Sequence, residues 1–585
     1  MRIAAEFTLS RCWMAMALMA MASQTVAETP ETFKAQWEAY EEVRAKSALE
    51  LQPFRTTQTA EDEATGYHLT WISTNPAVGA WYVLEIRTDP SAKAESFHIE
   101  NPSPSRLKAS FVDAPVPAIE ITTEAGSESC TPWAAETGAL VEARTSGLAY
   151  APLCNGKLFL RNRVTGARTN IEATTDFLRD NVWGGESIVR FVRDTFFKDS
   201  EVENSRTVDT GGTAGVTGGP PPMQGKVPAE EQRVISTLLT LGIQGTDPSM
   251  MTIGQWYPIA GLEGVFASTF QPRAISDAVL QSGGANRLDG VEAKATGYMT
   301  AFDLGLFDIG YAVGTDHPAL GWSSRPPASI RPRGMPGPDG IKTAKPLVLL
   351  GMLNPEIASN TVATFTAGFK RQHGAFKFGD MATFNLGHHY GFVEKGVILS
   401  KLQPGLSTLY GLTDGAIEMK TWTEEDNVLL PKIRFARQNG VPLVETDPVT
   451  GEVTPGDRVT KWGAGNWSGS AKAELRTLRA GGCMVSEGGR DYLLYGYFSA
   501  ATPSAMARVF QAYGCRYAML LDMNALEHTY LALYAQRDGK VHVEHLLPGM
   551  ALIEKKARDG TIIPRFIGFA DNRDLFYLTR KEPAQ

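Results

Sequence analysis

The 585-residue sequence has no surplus of positive charge: Lys and Arg total 56 against 64 Asp and Glu, a net charge of −8. Without a basic excess the chain carries no overall electrostatic footprint for a polyanion, which argues against nucleic acid as a partner. Long apolar runs are missing too, since no segment beyond the first 27 residues reaches the roughly 18 that a membrane helix needs. Cysteine is scarce, with five in all, and no two stand at C-x2-4-C spacing. A metal site built from the four that follow residue 27 is therefore the weaker reading beside disulfides. There is no H-E-x-x-H, and no calcium loop with its glycine and distant bidentate Glu. No metal and no cofactor are expected. What is present, 43% hydrophobic and 21% charged residues, excludes disorder of the whole chain, and the length suits two to four packed units.

Residues 1–27 read as a secretory signal. Arg2 and Arg11 stand near an apolar stretch at 12–22, too short to span a bilayer, and small residues close it at Ala20-Met21-Ala22 or Thr25-Val26-Ala27. The mature chain is expected to be soluble and exported, either periplasmic or secreted. An oxidising compartment permits pairing of its four cysteines. Three connectivities exist, and the two local groups favour Cys130 with Cys154 and Cys483 with Cys515.

Phe33, Trp37, Tyr40 and Val43 recur at helical spacing, whereas 67–72 and 81–86 read as strands. A further strand is expected at 157–161 and a helix at 175–197, interrupted by Gly184-Gly185. Residues 28–200 are thus expected to form an N-terminal α+β domain. Residues 201–233 turn to Gly, Pro, Thr and charge, with too little apolar surface to offset ordering entropy, and read as a linker or a long surface loop. The domain at 234–585 alternates strand-like runs with a few helices. The expected fold class is α+β: a mixed β-sheet catalytic-type domain flanked by helices, preceded by the separate α+β domain.

Chemistry concentrates late in the chain, where His373, His388, His389 and His528 each stand beside polar groups. In 365–374, Lys370, Arg371 and His373 sit among small residues that let a backbone approach a ligand; a solvated turn is the plainer alternative. Arg437-Gln438-Asn439-Gly440 joins bidentate donors to a turn. Trp462 and Trp467 lie among glycines, a composition suited to stacking a sugar or to ordinary turn packing. Pro503 opens a helix, and the strand after Cys515 ends in Asp522, Asn524, Glu527 and His528, the densest polar group of the sequence. These four could also ligate a metal, or form a hydrogen-bonded turn before a solvated helix.

From about residue 254 to 578 several motifs recur in an order that resembles the phosphodiester glycosidase family, which includes N-acetylglucosamine-1-phosphodiester α-N-acetylglucosaminidase. They are Gly254-Gln255-Trp256-Tyr257-Pro258, YAVGTDHP at 311–318, Phe365-Thr366-Ala367-Gly368-Phe369-Lys370, the 405–422 hairpin ending in Trp422, Arg437-Gln438-Asn439, 479–483, and Leu521-Asp522-Met523-Asn524. Two motifs depart from the family pattern. Thr366-Ala367 replace Asn-Gly, and Asp522-Met523-Asn524-Ala525 replace the glycine-rich D-G-G-G-S. Residues 28–200 lie outside the resemblance.

The resemblance implies an exported glycosidase acting on glycosyl phosphodiesters or a related envelope exopolysaccharide. An ordinary glycosidase pairs two carboxyl groups because its leaving alkoxide is strongly basic. A departing phosphate is a weaker base, with a second pKa of about 6, so one carboxylate and several cations would suffice. The implied catalytic residues are Asp522, as base or stabiliser of positive charge on the ring, with Arg479 and, more weakly, Glu527. Lys370, Arg437 and Arg479 are the implied phosphate cations, and Asn439 and Asn524 the groups for sugar hydroxyls. His373 and His528 are expected ligand contacts, and His528 and Glu394 are further acid–base candidates. The alternative is a non-catalytic polysaccharide- or envelope-binding protein with the same fold.

Overall fold

The computed structural model describes residues 38, 45–136, 138–181, 201–208, 227–316, 341–369, 390–461 and 476–581. The leader, Lys370, His373, His388, His389 and 462–469 lie outside the described residues. The expected α+β class is overturned: the described residues are 42% strand against 13% helix, in several antiparallel sheets. The physical reason is layering. Strands that alternate or are wholly apolar cover one another's faces, so few helices are needed as flanks.

Within the first 161 residues a six-stranded sheet runs Thr56–Asp62, Tyr67–Ser73, Trp81–Arg87, Glu95–Glu100, Leu158–Arg161, Tyr150–Leu153 in spatial order. A three-stranded sheet follows Lys108–Val112, Ala118–Thr123 and Gly126–Cys130. Leu69, Trp71, Leu84, Phe97, Ile119, Ile121 and Trp133 belong to their common core. Cys130, at the end of the small sheet, is joined to Cys154, just past an edge strand of the larger one.

Three larger sheets, with three two-stranded ones beside them, build the rest of the described residues. One has eight strands, with Arg490–Ala501, Thr477–Glu487 and Tyr517–Met523 adjacent at its middle. A second orders Phe307–Ala312, Leu575–Arg580, Thr361–Thr366, Leu531–Arg537 and Lys540–His545. The third orders Val397–Ser400, Phe392–Glu394, Ile433–Gln438, Ser407–Leu412 and Ile417–Thr421. Aromatic contacts knit them together: Phe365 meets Tyr495 at 5.4 Å and Phe576 at 5.5 Å, and Phe576 meets Phe435 at 6.2 Å.

The helix Pro503–Ala512 has the signals expected of it. Thr502 caps its start by accepting from the Ala505 N–H, Pro503 occupies the first turn, and Gly514 at φ +79° lies just beyond its end. It returns the chain so that Cys515 meets Cys483, and these two are joined.

The first sheets rest on the remainder through buried polar groups. Arg161, paired with Glu100, donates to Val348 O at 3.1 and 2.8 Å, and Asn354 donates to Glu100 at 2.5 Å. At the start of the Gly- and Pro-rich segment, Thr207 bridges Ile235, and Glu203 accepts from Tyr298 Oη at 2.7 Å.

Candidate functional site

The strand Tyr517–Met523 is apolar until its sixth residue, Asp522, which is buried with 3% of its surface exposed. Its Oδ1 accepts the Met523 N–H at 2.9 Å, and its Oδ2 accepts from Arg573 Nη1. Arg573 belongs to Asp571-Asn572-Arg573-Asp574, four consecutive polar residues, all buried, immediately ahead of the strand Leu575–Arg580. Asp571 holds that segment by accepting both Arg565 Nε, at 2.8 Å, and Arg565 Nη2, at 2.9 Å. It also accepts the Arg573 N–H at 2.9 Å.

Past Asp522 the backbone turns sharply. Asn524 has φ +81°, a left-handed conformation that Asn tolerates better than most residues, and its N–H donates to Leu478 O. The turn brings back His528, whose Nε2 lies 2.9 Å from Arg573 Nη2 and whose Nδ1 lies 3.0 Å from Met523 O. A guanidinium only donates and a carbonyl only accepts, so these contacts fix the neutral imidazole with its proton on Nδ1. Thr366 donates its hydroxyl to His528 O and so anchors this turn.

Around Asp574 a second set assembles. Arg437 Nε donates to its Oδ2 at 2.5 Å and Tyr311 Oη at 2.8 Å, while Arg437 Nη2 donates to Phe369 O at 2.7 Å. Asn439 accepts the Phe369 N–H at 3.1 Å and donates to Leu520 O and Leu521 O. The two sets lie side by side, since Asn439 holds the carbonyl of Leu521, next to Asp522, and Arg573, next to Asp574, bonds both Asp522 and His528; Phe369 and His528 are 159 residues apart in sequence.

Several expected residues spend their polar groups within the fold. Arg479 is the register partner of Met523, so it shares Met523's face of the sheet, and Asp522, one residue away, points to the other face. Its guanidinium donates to Ala501 O at 2.9 Å and lies against Met523 Sδ. Arg437 is fully buried, and it spends donors on Asp574, Phe369 O and Gln438 O, not on an outward-facing phosphate site. Asn524 is exposed and accepts from Thr477. Glu527 is half-buried and accepts from Thr169 Oγ1 at 3.2 Å. Glu394, pushed up to about 7 by burial, accepts the Val313 N–H and has Arg161, Glu100 and Lys395 as charged neighbours.

Burial likewise pushes the Asp522 carboxyl up to about 6; Arg573 pulls it down, and Asp574 and Glu172 push it up. Glu172 comes from the helix Asn170–Asn181. Its Oε1 accepts from Arg573 Nη2 at 3.0 Å and from Asn572 Nδ2 at 2.9 Å. Sequence reasoning missed Asp571, Asn572, Arg573, Asp574 and Glu172. The available signal was four polar residues packed against the apolar run Leu575-Phe576-Tyr577-Leu578. No group of His, Cys, Asp and Glu suited to a metal occurs among the described residues.

No family model matches the chain, and no curated protein matches it. Among solved structures, the catalytic domain of zebrafish N-acetylglucosamine-1-phosphodiester α-N-acetylglucosaminidase, auto-inhibited by its pro-peptide, is 10% identical. The match covers 55% of this chain and 86% of that one, with a TM-score of 0.28. A hypothetical protein from Synechocystis is 9% identical over 90% of this chain and 99% of its own, with a TM-score of 0.25. Likenesses at these scores carry no argument for an activity. The chain contains two disulfides, and among the described residues no helix is long and apolar enough to cross a membrane.

Proposed function

We propose that the chain is an exported hydrolase of glycosyl phosphodiesters whose central carboxylate is Asp522 and whose adjacent cation is Arg573. The observation that carries this reading is a buried carboxyl, pushed up to about 6, that shares one guanidinium with a neutral His528. A group near 6 is mostly ionised at neutral pH yet exchanges its proton easily, as acid–base catalysis requires. The ordered motifs of the phosphodiester glycosidase family add to it.

In this reading the Asp522 carboxylate balances positive charge that develops on the sugar ring as the bond to phosphate breaks. Arg573 supplies the positive charge that stabilises the departing phosphate. His528, which accepts from Arg573 through Nε2, orients that guanidinium toward the departing anion.

A second reading, a non-catalytic polysaccharide-binding protein, is favoured by one observation. Asp522, Arg573 and Arg437 are each almost wholly buried and already bonded to protein groups. The deciding experiment incubates the full chain with aryl-phosphodiester sugars and purified exopolysaccharide, following release of a reducing end. The hydrolase reading expects release by wild type and none by Asp522→Asn. Absence of release from every substrate, with retained polysaccharide binding, would transfer the assignment to the second reading.

A further inference from the structure

We infer that Glu172, contributed by a segment outside the family resemblance, is a positioning residue of the Asp522 site: it holds Arg573 by Nη2 while Asp522 takes Nη1, and it sets the charge that Asp522 meets. The inference rests on Asp522 being the central carboxylate.

The local sequence makes this use of Glu172 specific. Thr169-Asn170-Ile171-Glu172 has the T-x-x-E spacing of a capping box, in which the Glu would fold back onto the Thr backbone. Here only half of the box forms: the Glu172 N–H donates to Thr169 Oγ1 at 3.1 Å, while the carboxylate goes to Arg573 and Asn572. Its side chain is about 5% exposed.

The segment that carries it is laced to the site by main chain. The Ala167 N–H donates to Ala570 O at 2.8 Å, and the Asn572 N–H donates to Ala167 O at 3.0 Å. Gly166 permits the approach, because a Cβ there would stand 2.7 Å from Asn572 N and 2.1 Å from Thr315 Oγ1. Thr169 also donates to Glu527, the residue before His528. Glu172 is thus a built-in part of the wall, not a detachable plug.

The groups that bear on Asp522 can be named by element. Arg573 and Asp574 come from the 571–574 segment, Tyr495 from the strand Arg490–Ala501, which lies beyond Thr477–Glu487 in the sheet, His528 from the turn after its own strand, and Glu172 from the helix. Of these, Glu172 is the one supplied by the first 200 residues. A carboxylate sharing the guanidinium both holds it in place and disfavours ionisation of Asp522.

The test follows the Asp522 carboxyl by carbon-13 NMR in full-length chain labelled at the aspartate carboxyl, its resonance assigned by loss in Asp522→Asn. Glu172→Gln keeps an acceptor for Arg573 but removes the charge, and Glu172→Met removes both. In either variant the midpoint is expected to fall by about one pH unit, and the acid limb of kcat/KM to move with it. Glu172→Asp restores the charge and should titrate close to wild type. An unchanged midpoint in a folded charge-removed variant overturns the inference, as does folding only when a carboxylate is present, which marks a structural role alone. A shifted midpoint in a protein without hydrolytic activity supports the inference and overturns the hydrolase reading. Activity with an unmoved midpoint does the reverse.

Discussion

Asp522 accepts a hydrogen bond from Arg573 across 51 residues of chain, with about 5% of either side chain exposed. Arg573 faces Glu172 as well, so one guanidinium compensates two carboxylates in a place that water scarcely reaches. A buried ion pair is weak evidence for stability, but removing one partner from it is costly.

Arg573→Ala should therefore destabilise the fold by about 3–5 kcal/mol at pH 8. The loss should shrink as pH falls through the raised Asp522 pKa, because a protonated carboxyl no longer needs the cation. Urea unfolding of wild type and variant at pH 8 and pH 5 measures it. Equal losses at both values would mean that the pair contributes no charge compensation.

Asp522 alone has a pH signature whose sign follows from linkage. Its folded pKa, about 6, lies above the ordinary 3.8, so the folded chain binds this proton more tightly than the unfolded one. Its contribution favours the fold most below pH 4, declines as pH rises from about 4 to about 6, and is constant above. The difference of about two pH units corresponds to a decline on the order of 3 kcal/mol. Subtracting unfolding free energies of Asp522→Asn from those of wild type at pH 4, 5, 6 and 7 isolates it. A difference that is flat or rises with pH would sink the assignment.

These two residues also mark where sequence reading stops. Asp522 was legible because it ends an apolar strand and opens a run of Asn, Glu and His. Arg573 was not, because Asp571-Asn572-Arg573-Asp574 looks like a solvated loop until Arg565, Arg437 and Asp522 arrive from distant parts of the chain. Arg479 was chosen by motif, but its facing depends on a strand register that only the Met523 pairing reveals. Pro503 announced its helix, and strands such as Tyr67–Ser73 and Trp81–Arg87 announced themselves by composition. How those strands layer is a long-range property, and there the α+β expectation failed. The small residues at 367–368 were seen as room for a ligand, whereas the space at Gly368 is taken by protein.

Gly368 gives a prediction that needs no substrate. A Cβ added there would lie 2.7 Å from Asn439 Oδ1 and 2.9 Å from Arg437 Nη2, both held by other bonds. Gly368→Ala should cost about 1–3 kcal/mol through overpacking. Asn439→Ala removes the nearer atom, so the two substitutions should be less than additive in a double-mutant cycle of urea unfolding. Strict additivity would show that the loop yields without touching Asn439.

The two disulfides should differ in reach. Cys483 lies within the strand Thr477–Glu487 and Cys515 just beyond the helix Pro503–Ala512, and both are fully buried. Cys130 and Cys154 are partly exposed. A thiolate must attack a sulfur in line, so access governs the rate at which a folded chain is reduced. Graded reductant, alkylation and mass mapping of the native protein should label Cys130 and Cys154 first, and leave Cys483 and Cys515 joined until the fold opens. Closing the 32-residue loop between the latter pair is worth on the order of 3–4 kcal/mol. Their reduction should accordingly coincide with a large drop in thermal stability, whereas labelling of all four at one low reductant concentration would show that burial does not protect the inner pair.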